Sequence, residues 1–169
     1  MNIEYNELMV TDIESRRAFA FTLEWLLAIM KRYSSPLQFG LVHIDYGSNN
    51  ELAETLGMRE VFKQLASLTV SLKSAFRKTD IVTREVTDFW VIVPYIAENE
   101  KLYDKIVGIL HDAKHKGLNI VDREISIFLM PLLPATAENA PEEALKFLEY
   151  LKENKQLLAS HVFMLTANK

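Results

Sequence analysis

The stretch DIVTREVTDFWVIV, residues 80–93, holds two extended runs, 80–84 and 89–93, separated by Glu85-Val86-Thr87-Asp88. Both runs are rich in β-branched and aromatic residues, the composition of strands that pack on a core. They predict a β-hairpin. Its connection is unusual, because tight hairpin turns favour Gly or Asn where φ is positive, and Val86 and Thr87 are β-branched. A two-stranded hairpin is marginal alone in water, so other segments must complete a sheet.

Upstream, LQFGLVHID (37–45) is a short apolar run that ends on Asp45 and meets a Gly47-Ser48-Asn49-Asn50 break, which predicts a buried strand. Ser48 and Glu51 have capping-box spacing. A helical pattern then continues through Val61, Leu65, Leu68, Leu72 and Phe76 with a hitch at Gly57, so a short and a long helix are expected. Earlier still, Thr11 and Glu14 repeat the capping spacing ahead of Phe19, Leu23, Leu26, Leu27 and Met30, with a stop at Ser34-Ser35-Pro36. An amphipathic helix is expected from Thr11, preceded by an N-terminal extension over residues 1–10.

Downstream, residues 98–116 read as a helix closed by Gly117, and EISIFLM (124–130) as a strand. Residues 131–140 form a Pro/Ala loop, Pro141 suits the first position of a helix running to about Lys155, and 161–166 is a last strand. Helices alternate with strands around one antiparallel hairpin. The expected architecture is one α/β (α+β) domain over residues 1–169, with a mixed central sheet of about five strands flanked by helices.

At 169 residues the chain is long enough for a full core, and 49% hydrophobic with 25% charged residues excludes wholesale disorder. A net charge of −4 argues against nucleic-acid or anionic-membrane binding through a basic surface, while a small phosphate ligand needs only one or two local cations. Zero cysteines exclude disulfides, thiolate nucleophiles and Cys-ligated zinc. The N-terminus carries acids where a secretory signal has a basic end, and the apolar stretch 18–30 is interrupted by Thr22 and Glu24. A cytoplasmic protein without a membrane span is expected.

Element order and several local patterns resemble the GGDEF (diguanylate cyclase) domain over residues 11–166. Arg16-Arg17-Ala18-Phe19 is similar to the family's early Arg-Arg-x-Phe, and LVHIDYGSNNELAETLG to its strand with a metal-binding Asp, at Asp45, and a later Gly, at Gly57. Where the family carries its second Asp, its Lys, the guanine-holding Asn, a His and the base-binding Asp, this chain has Gly47, Asn50, Ala53, Met58 and Phe62. Arg77-Lys78-Thr79-Asp80 resembles the family's R-x-x-D site. Val86-Thr87-Asp88-Phe89-Trp90 then falls on the signature itself, five residues on. A second register takes residues 85–89 as the signature, with a one-residue deletion.

In the family, two GTP molecules are joined by attack of a 3′-hydroxyl on an α-phosphate, with two divalent ions held by carboxylates. The resemblance implies that Asp45 and Asp88 are vestiges of that site and that Phe89, which cannot ligate a cation, stands for the metal-binding Glu. In the shifted register Asp88 takes that place, and an Asp45/Asp88 pair could hold one magnesium ion. Both registers lack the two glycines, and a late phosphate-binding Lys is replaced near Glu149. Catalysis is therefore expected to be lost, with no cofactor and magnesium only if some cyclase activity persists.

Arg77 and Asp80 would then be the ligand-binding residues for cyclic di-GMP, the Arg pairing with phosphate or stacking on guanine and the Asp accepting from the guanine edge. The bland alternative is a helix C-terminal Arg followed by an Asp turn residue. Likewise Asp45 could cap the turn after its strand, and Asp88 could be a solvated charge at the hairpin tip. Arg59, Lys78 and Arg84 could add cations. His111 and His115 lack a third metal ligand and read as surface, while Trp25 and Trp90 sit among apolar neighbours and read as core. Three functions follow: a non-catalytic regulatory domain binding cyclic di-GMP or a protein partner, a weak diguanylate cyclase, or a ligand-free dimerisation domain.

Overall fold

The structure is a computed structural model that describes residues 2–33, 37–47, 57–85, 88–94, 99–115, 123–133 and 138–165. Strands β2 (Ile81–Glu85) and β3 (Asp88–Pro94) form the expected antiparallel hairpin, with Glu85 opposite Asp88 at its closed end. Val86 and Thr87, which join them, lie outside the described residues. β1 (Phe39–Asp45) pairs with β3 on one side and with β4 (Arg123–Met130) on the other, and β5 (His161–Leu165) adds to β4. The sheet order is β2-β3-β1-β4-β5.

The five-stranded sheet flanked by helices is therefore present, but its strand directions are not mixed: every pairing is antiparallel. The physical reason lies in the two crossovers. β1 reaches β2, and β3 reaches β4, through a helix, and each such pair runs in the same direction; yet β3 is inserted between the first pair and β1 between the second. This is a split βαβ arrangement repeated twice.

Among the described residues the helices are α1 (Asn2–Tyr33), α2 (Met58–Ala75), α3 (Asn99–His115), α4 (Ala144–Glu153) and α5 (Lys155–Leu158). α1 begins at Asn2, so Thr11 is interior to the helix and residues 2–10 are helical too. No Gly or Pro interrupts that segment, and its Glu, Leu and Met residues favour helix more than one Thr favours a cap. α2 starts after Gly57, whose φ of 80° is open to glycine at little cost, which explains the hitch in the pattern. The short helix expected after Ser48, the stop at Gly117 and the end of the last strand at Thr166 fall outside the described residues.

α4 begins at Ala144 rather than Pro141. Its first amide is satisfied from another element, the Ala144 N–H donating to Glu24 Oε1 of α1 at 3.0 Å. The helix stops at Asn154, whose Nδ2 donates back to the Tyr150 carbonyl at 2.8 Å. Among the described residues no helix is long and apolar enough to cross a membrane.

The strands alternate between two apolar layers. Val42, Ile44, Phe89, Val91, Val93, Ile125 and Ile127 pack with Val61, Leu65, Leu68 and Leu72 of α2 and Ile106 of α3. Leu41, Trp90, Ile92 and Phe128 face the other way, against Phe19 and Leu23 of α1 and Phe147, Leu148 and Leu151 of α4. Trp90 is core as expected, at 1% exposure, but Trp25 is not, at 57%. Two residues along a helix is a turn of about 200°, so a side chain at 25 points away from buried Leu23. Replacement of Trp90 by Ala should cost about 3–5 kcal/mol in urea unfolding, whereas Leu145→Ala on the outer face of α4 should change stability by less than about 0.5 kcal/mol.

Candidate functional site

The register of the sheet creates a feature that no single segment contains. Glu85 lies opposite Asp88, Asp88 opposite Asp45, and Asp45 opposite Glu124, so four carboxylates stand abreast on four adjacent strands. Directly opposed residues share a face, here that of Trp90, α1 and α4. One step inward lies a second row, Thr83, Trp90, His43 and Ser126, all buried. The acids therefore end a row system that becomes apolar toward the middle of the sheet.

Cations from the covering helices meet this row. Asp88 Oδ2 accepts from Lys152 Nζ of α4 at 2.7 Å and from His43 Nε2 at 3.0 Å, where the carboxylate can only accept and the imidazole carries the proton. Lys155 of α5 pairs with Glu124. His43 is itself stacked on Trp90, ring centroids 4.4 Å apart, which fixes the imidazole beneath the acid. Burial acts to raise the pKa of Asp88, but the hydrogen bonds from His43 and Lys152 outweigh it and the net shift is downward. Glu85 is pushed up, by burial first and by Asp88, against the opposing charges of Arg16 and Lys152.

Asp45 is otherwise engaged: its Oδ1 accepts from the Gly47 N–H at 2.8 Å, the turn-capping role that its strand-end position allowed. Asp88 is not a solvated tip charge, since its side chain is only 14% exposed. Phe89 is fully buried on the opposite face, edge-on to Tyr46 with ring centroids 5.8 Å apart. Arg77 and Asp80 form a closed turn in which Asp80 Oδ2 accepts from the Arg77 N–H at 3.0 Å. The Asp80 carboxylate is buried and Lys105 of α3 lies 3.5 Å from Oδ2, while Arg77 is exposed. Asp80 Oδ1 is buried with no hydrogen-bond partner among the described residues.

The remaining expected cations disperse. Arg84 pairs with Asp12 of α1, Lys78 is exposed, and the side chain of Arg59 lies outside the described residues. His111 is exposed, as expected of a surface position, and the His115 side chain is not described. Asp45 Oδ1 and Asp88 Oδ2 are each engaged by donors within the chain. No group of three or more His, Cys, Asp or Glu is placed to hold an ion among the described residues.

The opposite shifts of two neighbouring acids give a paired pH test. Asp88 is lowered in the folded state, so its stabilisation is present above the ordinary value of 3.8 and is lost as pH falls through the lower folded pKa. Asp88→Asn should therefore lower stability by about 2 kcal/mol at pH 7, with the gap closing in acid. Glu85 is raised, so its charge opposes folding above the ordinary value of 4.5. Glu85→Gln should raise Tm at pH 7, and that gain should vanish below pH 4.5.

No family model and no curated protein matches the sequence. Solved structures do match in fold. The GGDEF domain of YfiN, also called TpbB, from Pseudomonas aeruginosa aligns with a TM-score of 0.57 at 15% identity, over 86% of this chain and 92% of that one. A sensory box/GGDEF family protein from Caulobacter crescentus gives a TM-score of 0.57 at 12% identity, over 83% and 89%. The diguanylate cyclase SiaD from Pseudomonas aeruginosa, solved with its activator SiaC, gives 0.53 at 12% identity, over 83% and 55%. The chain has the fold of a GGDEF domain.

Proposed function

We propose that this chain is a non-catalytic regulatory domain of the GGDEF type in bacterial cyclic di-GMP signalling, working through contact with a protein partner. The observation that carries the reading is the state of Asp88. The one acid of the signature-like segment is held by Lys152 and His43, so that an ammonium group of the chain itself supplies the charge that a metal ion would otherwise bring.

Three further observations support it. Phe89, which stands for the family's metal-binding Glu in the gapless register, is committed to the core. The pairing of Glu85 with Asp88 leaves Val86 and Thr87 as a two-residue connection, which favours the gapless register, since that register places both missing glycines there. SiaD, over 55% of which this chain aligns in fold, was solved in complex with a protein activator.

Cyclic di-GMP binding at Arg77 and Asp80 is the second reading, and the unpartnered Asp80 Oδ1 favours it. An outward-facing Asp80 would have to leave the Arg77 amide and Lys105, so the ligand must induce that change. Calorimetry with cyclic di-GMP decides between the two: heat that disappears in Arg77→Ala supports the receptor reading, and no heat leaves the protein-contact reading. For the catalytic question, incubation with GTP and magnesium should yield no cyclic di-GMP by chromatography. Product that disappears in Asp88→Asn would make the chain a diguanylate cyclase.

A further inference from the structure

The apolar layer beneath α1 and α4 is left open at one corner. Past Leu23, its last fully buried side chain, α1 continues to Tyr33, and Leu27 and Met30 on that stretch are only partly covered. Leu132 and Ala140 are partly covered as well. Because α4 starts at Ala144, the segment 138–142 is non-helical and forms a wall of its own. A cavity of about 940 Å³ lies there, lined by Leu27 and Met30 of α1, Met130 at the end of β4, Leu132, Ala140 and Phe147 of α4. Cavities of this size with mainly apolar walls are the kind that enclose small ligands.

The cavity is separate from the acid row and from the R-x-x-D turn. Glu124 stands in the row and Met130 in the cavity wall, at opposite ends of β4 and so roughly 20 Å apart. Asp80 precedes the edge strand β2, with β3 and β1 between it and β4, and its carboxylate faces Lys105 of α3 on the other side of the sheet.

Charge selects the ligand. Glu24, Glu138, Glu142, Lys31 and Arg32 also line the cavity, three carboxylates against two cations. Lys31 pairs with Glu142 between the two walls, and those charges cancel. The Arg32 guanidinium lies over the Tyr33 ring, 5.4 Å from its centroid. Glu24 accepts only from a neutral donor, the Ala144 N–H, and among the described residues neither Glu24 nor Glu138 is paired with a cation. The wall that α1 supplies is moreover its C-terminal end, the negative pole of a helix macrodipole. We infer that the cavity binds an organic cation, an ammonium group on an apolar body, with the body among Leu27, Met30, Met130 and Phe147 and the ammonium held by Glu24 and Glu138. Thioethers adapt to the shape of such a body, and the Phe147 ring offers the cation a negative face. An anionic amphiphile would instead meet the excess of carboxylates. This inference stands apart from the protein-contact reading and from Arg77 and Asp80.

The test titrates the whole chain, labelled at its methionine methyl groups, with hexylamine, hexanol and hexanoate, which share an apolar chain and differ in head group. Hexylamine should shift the NMR signals of Met30 and Met130 saturably and leave that of Met164 on β5 in place. It should bind at least about tenfold more tightly than hexanoate, with hexanol between them. Glu24→Gln/Glu138→Gln should weaken hexylamine by about tenfold and leave hexanol unchanged, since Gln still offers an oxygen to the Ala144 N–H. Lys31→Gln releases Glu142 and should tighten hexylamine. Hexanoate binding as tightly as hexylamine, a weaker hexylamine complex in Lys31→Gln, or a shift at Met164 in place of Met30 and Met130 overturns the proposal. So does the lack of any saturable shift with hexylamine, the result expected of a groove that serves only a partner protein.

Discussion

Four carboxylates held abreast across a sheet are the constraint around which one side of this molecule is organised. Neighbouring strands place directly opposed residues about 5 Å apart, and like charges at that spacing repel. The chain cannot relieve this by sliding a strand. β1 is paired on both sides, and a slip of one residue would send its apolar set to the wrong layer. Compensation has to arrive from outside the sheet, and it does, through Lys152 and Lys155 and the field of Arg16, with His43 beneath. Helices α1 and α4, which bring Arg16 and Lys152, are seated by Phe19, Leu23, Phe147 and Leu151, so apolar packing and charge balance fix the same elements.

This arrangement bears on what the site can do. A hard divalent ion asks for about six oxygen ligands with free lone pairs, and it must outcompete whatever already occupies them. An ammonium group bonded to Asp88 is tethered to α4, so its local concentration does not fall when the surrounding solution is dilute. The bond from Lys152 that helps seat α4 is thus also a competitor for any other cation approaching Asp88.

The hairpin and the strands were legible as short apolar runs rich in β-branched and aromatic residues, the composition of strands buried on both faces. Asp45 and Asp88 were legible by position. The row was not, since Glu85, Asp88, Asp45 and Glu124 come from four strands and become neighbours only through register. The one available signal was the pairing of Glu85 with Asp88 across a two-residue connection. Lys152 was missed because helix α4 carries no local mark of what its outer turn faces. The apolar neighbourhood of Trp25 reads as core, while its angle to Leu23 on the helix indicates the outward face that it takes. The antiparallel sheet was hidden because crossovers that look parallel in sequence can each skip over an inserted strand.

The strand that carries the signature-like residues shows why the departure from the family pattern is structural as well as chemical. Along β3 the side chains of Asp88, Trp90 and Ile92 face α1 and α4, and those of Phe89, Val91 and Val93 face α2 and α3. A carboxylate at position 89 would therefore not join Asp45 and Asp88. It would point into a layer formed by Ile44, Val61 and Leu65 beside the ring of Tyr46, with Arg123 buried on the same face one step along β4. Burying a charge in that apolar layer costs more than leaving an aromatic in place. Phe89 is thus a residue that the second apolar layer now requires, and a simple return to an acid at that position would damage the scaffold before it supplied a ligand.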